Sequence, residues 1–330
     1  MGFETLDVER KVLSILRIVS DCREPVGARV IAHRMKDYGV ELGERAVRYH
    51  LKLMDERGLT RLVGREGRLL TEQGEEELRS ALVKDKVGLA ISKIELLAFC
   101  TDFDYEKRCG SIPVNISFFP KEKFEKALQV MKPAFKEGLC VSELVAVASE
   151  GERLGEFIVP EGRRGLATVC SVVINGALLK GGVPMDSRFG GILQIRNRKP
   201  FRFVELIHYA GSSLDPSEVF IRAKMTSVKE AARRGNGKIL ANFREIPALC
   251  RGIAEEVVAK LREAGLGGLL VMGNTSEPVC ETPVELNRIG MILLGGMNPV
   301  AAAEEAGIEA ENHAMSTIVE YQDLTKFEEL

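Results

Sequence analysis

ERAVRYHLKLMDERG, Glu44 to Gly58, is the stretch whose reading decides the first domain. On a helix, Ala46, Val47, His50, Leu51 and Met54 share one face, while Arg45, Arg48, Tyr49 and Lys52 fall at i, i+3, i+4 and i+7 on the opposite one. Three cations and a phenol in one stripe suit the major groove of DNA, where guanidinium forks meet guanine O6 and N7 and phosphate oxygens. A solvated helix face can carry the same residues, so the neighbouring segments decide. Upstream, Leu6 to Ser20 repeats apolar residues at helical spacing (Val8, Val12, Ile15, Leu16, Val19), and DCREPVG at 21–27 breaks it. Ala28 to Tyr38 predicts a short second helix with Val30, Ile31 and Met35 inward and Gly39 as its stop, and Val40 to Gly43 is the turn of a helix-turn-helix. Downstream, Leu59–Val63 and Arg68–Thr71 flank a Gly64-Arg65-Glu66-Gly67 tip, which predicts a hairpin. Three helices closed by a hairpin make an N-terminal winged helix-turn-helix over residues 1–80, with Arg61, Arg65 and Arg68 of the wing near phosphates.

Charge supports DNA locally. From Arg45 to Leu70 seven cations face three anions, an excess of four, whereas the whole 330-residue chain carries −2. A near-neutral protein with one basic surface uses that surface for nucleic acid and gains from a second copy, so a homodimer on double-stranded DNA is expected. A winged helix used for protein interaction remains the alternative.

The length allows two domains, and 45% hydrophobic with 28% charged residues is ordinary for a soluble chain. No apolar run reaches the roughly 18–20 residues that cross a bilayer, and the start is acidic and amphipathic, so no membrane partner and a cytoplasmic location are expected. Seven cysteines contain no Cys-x-x-Cys pair, and the four histidines do not cluster with them, so reduced thiols and no metal site are expected.

Beyond Thr71, which can cap a helix to about Val83, Lys84 to Gly88 reads as the boundary of a second domain, an α+β effector domain over 85–330. Strands are expected at Ile112–Phe119, Leu144–Ala148, Phe201–Tyr209, Val219–Met225, Leu269–Met272 and Met291–Leu294. Val169–Ile174, Asn175-Gly176 and Ala177–Leu179 carry the signature of a tight hairpin. Helices are expected over Lys121–Lys132, from Ser227 to about Gly235, and over Pro247–Ala264 with Leu249, Ile253, Val257 and Leu261 inward. Asn298 is expected to cap one more. PMDSRFGGIL at 184–193 resembles PVELNRIGMIL at 283–293, a weak duplication near one hundred residues that would divide the domain into two related lobes, 85–245 and 246–330.

No nucleophile elbow, P-loop, zinc-binding helix motif or dinucleotide fingerprint is present, so no catalytic residue is assigned. Lys224, Thr226 and Ser227 at one helix start, and Asn298 at another, place backbone N–H groups where a carboxylate or phosphate binds, and Lys238, Asn242 and Arg244 add donors. That chemistry suits a small dicarboxylate; ordinary helix caps would use the same residues. An enzyme with Lys238 or Cys170 as its reactive group, or an interaction adaptor, are the competing classes.

The strings TVCSVVING (168–176), LLKGGVP, GSSLDPSEVFI, KMTSV, GKILANFREIP and GGMNPVAAAEEAGI resemble the NrpR family of archaeal nitrogen-regulation repressors, as does the winged helix. The resemblance implies a non-enzyme with no cofactor that represses nitrogen-fixation and glutamine-synthetase genes and leaves its operator when 2-oxoglutarate binds. It also draws Thr168, Cys170 and Ser171 into the expected effector site. Ala167 stands where the family's common form has glycine, and a single effector domain leaves open a second NrpR-type subunit as partner.

Overall fold

The computed structural model describes residues 3–22, 24–36, 40–80 and 88–330. The expected stop at Gly39, the end of the helix towards Val83 and most of the boundary segment lie outside the described residues. The chain forms two compact units, Met1–Val87 and Gly88–Leu330.

In the first unit α1 (Phe3–Cys22), α2 (Ala28–Met35) and α3 (Glu44–Glu56) precede β1 (Thr60–Val63) and β2 (Gly67–Leu70), and α4 (Glu72–Ser80) follows. β1 and β2 pair antiparallel with Val63 opposite Gly67, and Val26 bridges Arg68 outside them. Val12, Ile15, Leu16, Ile31, Met35, Val47, Leu51 and Met54 close one core. Burying side chains of this size stabilises by about 1.5–3 kcal/mol each. Val30 differs from expectation: it is exposed, because the two-turn α2 turns only Ile31 and Met35 inward. Thr71 does cap α4, accepting from the Gly74 N–H at 3.0 Å.

The second unit opens with α5 (Leu89–Cys100) and runs through two copies of one element order. The first copy is β3 (Ser111–Pro120), a 3-10 turn, α6 (Phe124–Lys136), β4 (Leu144–Ser149), the small hairpin β5 (Arg153–Leu154) and β6 (Phe157–Ile158), β7 (Arg163–Val169), α7 (Val172–Lys180) and β8 (Asp186–Arg196). After β9 (Lys199–His208), α8 (Pro216–Arg222) and α9 (Val228–Arg234) comes the second: β10 (Gly237–Pro247), a 3-10 turn, α10 (Arg251–Glu263), β11 (Leu269–Thr275), β12 (Arg288–Leu294), α11 (Asn298–Glu305) and β13 (Glu311–Glu320), then β14 (Thr325–Lys326). The two 13-residue helices begin 127 positions apart, Arg251 against Phe124, each following a strand closed by a proline.

The strands form two antiparallel five-stranded sheets, ordered β13-β3-β7-β4-β14 and β11-β12-β10-β8-β9. The last strand of each copy joins the other copy's sheet: β8 pairs with β10, and β13 pairs with β3. The helices cross over likewise, α6 packing on α11 and α10 on α7. A division at 245/246 therefore falls inside β10, and the strings at 184–193 and 283–293 run into β8 and into β12, which are not equivalent elements.

Three local expectations are corrected. Val169 to Leu179 is no hairpin: β7 ends at Val169 and the run continues as α7. An all-apolar run has no periodicity to separate a buried strand from a buried helix, and Val172 to Leu178 are all buried. Gly176 serves close packing rather than a turn, since a Cβ there would sit 2.5 Å from Thr101 Cβ. Val219 to Met225 is mostly α8, started by Asp215, whose carboxylate accepts from the Ser217 N–H at 2.7 Å, with Pro216 at the first turn. In α10 the inward residues are Ala254, Val257, Val258 and Leu261, whereas Ile253 is exposed, and Leu249, 100% exposed, lies in the 3-10 turn Ala248–Cys250 before the helix begins. A strict four-residue spacing drifts around a 3.6-residue helix.

Candidate functional site

The face of α3 turned away from the core carries Arg45, Arg48, Tyr49 and Lys52, all exposed, with Tyr49 at 63%. Among the described residues Arg48 and Lys52 make only i,i+4 surface pairs with Glu44 and Glu56, which a competing phosphate displaces at little cost. Arg61 and Arg65 are exposed on the wing. Arg68 is placed otherwise: its Nε donates to Asp55 Oδ2 at 2.8 Å while Thr60 Oγ1 donates to Asp55 Oδ1 at 2.6 Å, so it fastens the wing to α3.

In the second unit a small polar cavity lies where the two copies meet, lined from β3 by Asn115, from the β7–α7 junction by Cys170, Ser171 and Val172, and from β10 by Asn242 and Arg244. Gly295, Gly296 and Met297 at the start of α11, Tyr209, Asp215 and Ser217, and Ala314 and Met315 of β13 complete it. Asn115 and Asn242 each stand five places before the proline that closes their strand. Two helix N-termini thus converge on one space, each offering backbone N–H groups and a positive dipole end. Gly296 is required there, because a Cβ would lie 2.2 Å from the Val169 carbonyl oxygen.

Polar side chains hold one another around the cavity. Tyr209 Oη donates to Asn242 Oδ1 at 2.5 Å, and Asn242 Nδ2 donates to Ser171 Oγ at 3.0 Å. Asn115 Oδ1 accepts from the Met315 N–H at 3.0 Å. Arg244 is the exception. It is 1% exposed, its guanidinium lies 4.9 Å from the centre of the Tyr209 ring, and its Nε and Nη1 have no hydrogen-bond partner among the described residues. Leaving a buried cation's donors unmade costs several kcal/mol, and an anion in the cavity would offset that cost. A carboxylate matches the guanidinium fork with two parallel bonds.

Burial sets the protonation of the neighbours. Burial holds the Asp215 carboxyl above its usual range despite the bonds from Ser217, and raises Glu218 behind it, with the Asp215 charge second. Burial also raises the Tyr209 phenol and pushes the Cys170 thiol up to about 11. Cys170 is therefore a neutral thiol near neutral pH, which removes it as an activated nucleophile.

Of the expected effector residues, the fold brings Cys170, Ser171, Asn242 and Arg244 to this cavity. Thr168 is buried one step behind, with Oγ1 3.4 Å from Asn115 Nδ2. The others lie apart. Asn298 does not cap α11; its amide clamps β10, accepting from the Leu240 N–H at 2.7 Å and donating to the Leu240 carbonyl at 2.9 Å. The start of α9 is filled from within: Glu305 accepts from Thr226 Oγ1 and from the N–H groups of Val228 and Lys229, while Ser227 Oγ accepts from the Lys238 N–H. Lys224 and Lys238 are exposed. Sequence reading missed Asn115, Tyr209, Asp215 and Met315. An asparagine in the apolar strand IPVNISFF and the cap-and-proline pair Asp215-Pro216 were the available signals.

The chain thus joins a winged-helix unit to an α+β unit with a donor-lined cavity, a pairing that its likeness to known proteins places among regulators. Residues 87–326 match the family model for NrpR regulatory domains NRD1 and 2, and residues 13–78 match that of a ribonuclease R winged-helix domain. The chain is 42% identical over 317 residues to the global nitrogen regulator NrpRI of Methanosarcina mazei, covering 96% of this chain and 98% of that protein. It is 32% identical to the global nitrogen regulator NrpR of Methanocaldococcus jannaschii, covering 97% of this chain and 55% of that longer protein. A crystal structure of a nitrogen repressor-like protein from Methanococcus jannaschii aligns with TM-score 0.61 and 29% identity, over 73% of this chain and 98% of that one. The chain belongs to the NrpR family of nitrogen regulators.

No helix among the described residues is long and apolar enough to cross a membrane, and no group of three or more His, Cys, Asp or Glu side chains among them could hold a metal ion.

Proposed function

We propose that this chain is a transcriptional repressor of nitrogen-assimilation genes, including those for nitrogen fixation and glutamine synthetase, and that 2-oxoglutarate releases it from its operator. The observation that carries the ligand half is Arg244, a buried guanidinium with two unmade donors in a cavity where two helix N-termini meet. One carboxylate of the ligand lies on Arg244, and the N–H groups at the starts of α7 and α11 take the remaining oxygens. The DNA half rests on the exposed row Arg45, Arg48, Tyr49 and Lys52 with Arg61 and Arg65 on the wing. Two copies, alone or with a second NrpR-type subunit, read half-sites about 34 Å apart. A coupling of ~1–3 kcal/mol between cavity and reading heads is enough to release the operator.

The test is fluorescence anisotropy on an operator duplex recovered by selection from a random pool, titrated with 2-oxoglutarate and, in parallel, succinate, glutarate and glutamate. Millimolar 2-oxoglutarate should weaken wild-type binding about tenfold, about 1.4 kcal/mol. Arg244→Gln should bind the same duplex and ignore the ligand. DNA binding by the wild type that no member of the panel alters would sink the sensing half.

A further inference from the structure

One wall of the cavity is an interruption in a strand. β13 pairs with β3 as far as His313 opposite Ile116 and resumes at Thr317 opposite Val114, so Ala314, Met315 and Ser316 together face the single residue Asn115. Met315 has φ of +48°, in the left-handed region that a side chain rarely adopts. Side chains from three other elements hold this excursion in place. Asn115 of β3 accepts from the Met315 N–H, Glu218 of α8 accepts from the Ala314 N–H at 2.6 Å, and Lys93 of α5 donates to the Ala314 carbonyl at 3.2 Å.

The outer side of that wall is α5. Ala90, Ile94, Leu97 and Ala98 pack in one cluster with Cys170, Val172, Tyr209 and Met315, all four of which line the cavity. At its start the Ala90 N–H donates to the Ser212 carbonyl at 3.2 Å, and Ser212 in turn donates to the Tyr209 carbonyl at 3.1 Å. Tyr209 is the ring beneath the Arg244 guanidinium. α5 is also the first helix of the second unit, where the chain arriving from the winged helix enters it.

We propose that the Ala314–Met315 bulge and α5 form the element that reports cavity occupancy to the reading head, with Lys93 and Met315 as its positioning residues. An anion drawn to Arg244 contacts Tyr209 and the bulge directly, and both of its routes outward end on α5. The strained Met315 backbone supplies an element with two settings, and a bound ligand selects between them. The inference rests on the cavity being the effector site.

Calorimetry with 2-oxoglutarate and operator anisotropy on the full chain separate the two. Lys93→Met should bind 2-oxoglutarate within about threefold of wild type, yet lose most of the roughly tenfold ligand effect on operator affinity. Lys93→Arg, which keeps the donor, should restore it. Met315→Gly, which relaxes the left-handed residue and also alters the cavity lining, should lose the ligand effect on operator affinity even at 2-oxoglutarate concentrations that saturate it by calorimetry. Lys93→Met and Met315→Gly proteins that bind ligand and release DNA like wild type overturn the proposal. If wild type binds no 2-oxoglutarate, the cavity reading fails by itself, and hydrogen exchange of the ligand-free chain decides the coupling. Met315→Gly should then speed exchange across Leu89–Cys100 about fivefold and leave Arg251–Glu263 unchanged; protection of α5 equal to wild type overturns it.

Discussion

Arg48 and Arg68 carry the same charge, but their surroundings give them different work. Arg48 is exposed on α3, so Arg48→Ala should leave the melting temperature unchanged while weakening duplex binding and lowering the salt slope by about 1, read from anisotropy at several ionic strengths. Arg68 is largely covered by its pairing with Asp55, so Arg68→Ala should cost the winged helix about 1 kcal/mol in thermal or urea unfolding and change the salt slope little. Asp215 makes a third case. Its folded pKa is raised above the ordinary value of 3.8, so folding favours the protonated form. Stability from this group is full below that value and falls as pH rises through the raised pKa. Asp215→Asn keeps an oxygen to cap α8 and removes the charge, so the variant should gain on wild type in melting temperature from acid to neutral pH. Parallel curves would contradict the assignment. These distinctions were hidden in the sequence because residue type gives charge, whereas burial and partners come from the fold.

Elements were legible wherever polarity alternated or a helix showed one apolar stripe. β3, β9 and α3 satisfied those conditions, and their extents agree with expectation to within a few residues. α7 did not, because an element buried on every side has no polar face to reveal its period. Its Asn-Gly pair imitated a turn, although Asn175 Nδ2 donates to Ser187 Oγ at 3.1 Å and Gly176 admits Thr101. Gly176→Ala should therefore destabilise the second unit by about 1–3 kcal/mol, despite alanine's better helix propensity. Leu179→Ala, at the exposed C-terminal end of the same helix, should shift the midpoint by less than about 0.5 kcal/mol. A stabilised Gly176→Ala protein in urea titration would mean that the contact with Thr101 gives way freely.

At the level of the molecule, the repeat left few marks in the sequence. Pro120 and Pro247, and Asn115 and Asn242, hold matching places, while the residues between them differ. Two matching strings near one hundred residues apart were the louder signal and belong to non-equivalent strands. Exchange of the closing strands binds the copies together more firmly than a surface contact. Cutting the chain after Gly182, in an exposed turn, should give fragments that fold and co-purify when expressed together. Expressed alone, the leading fragment lacks β13 and the trailing one lacks α7, so only the winged helix of the leading fragment should melt cooperatively by circular dichroism.

The exchange also bears on how a guest is oriented. A space set between matched halves treats both ends of a long molecule alike, unless some residue breaks the match. Arg244 stands three places before Pro247; three places before Pro120 stands Ser117, whose hydroxyl is committed to Asn312 at 2.7 Å. The cavity thus has a head and a tail despite its near-symmetric lining, so the proposed diacid, whose two ends differ, should enter it one way round.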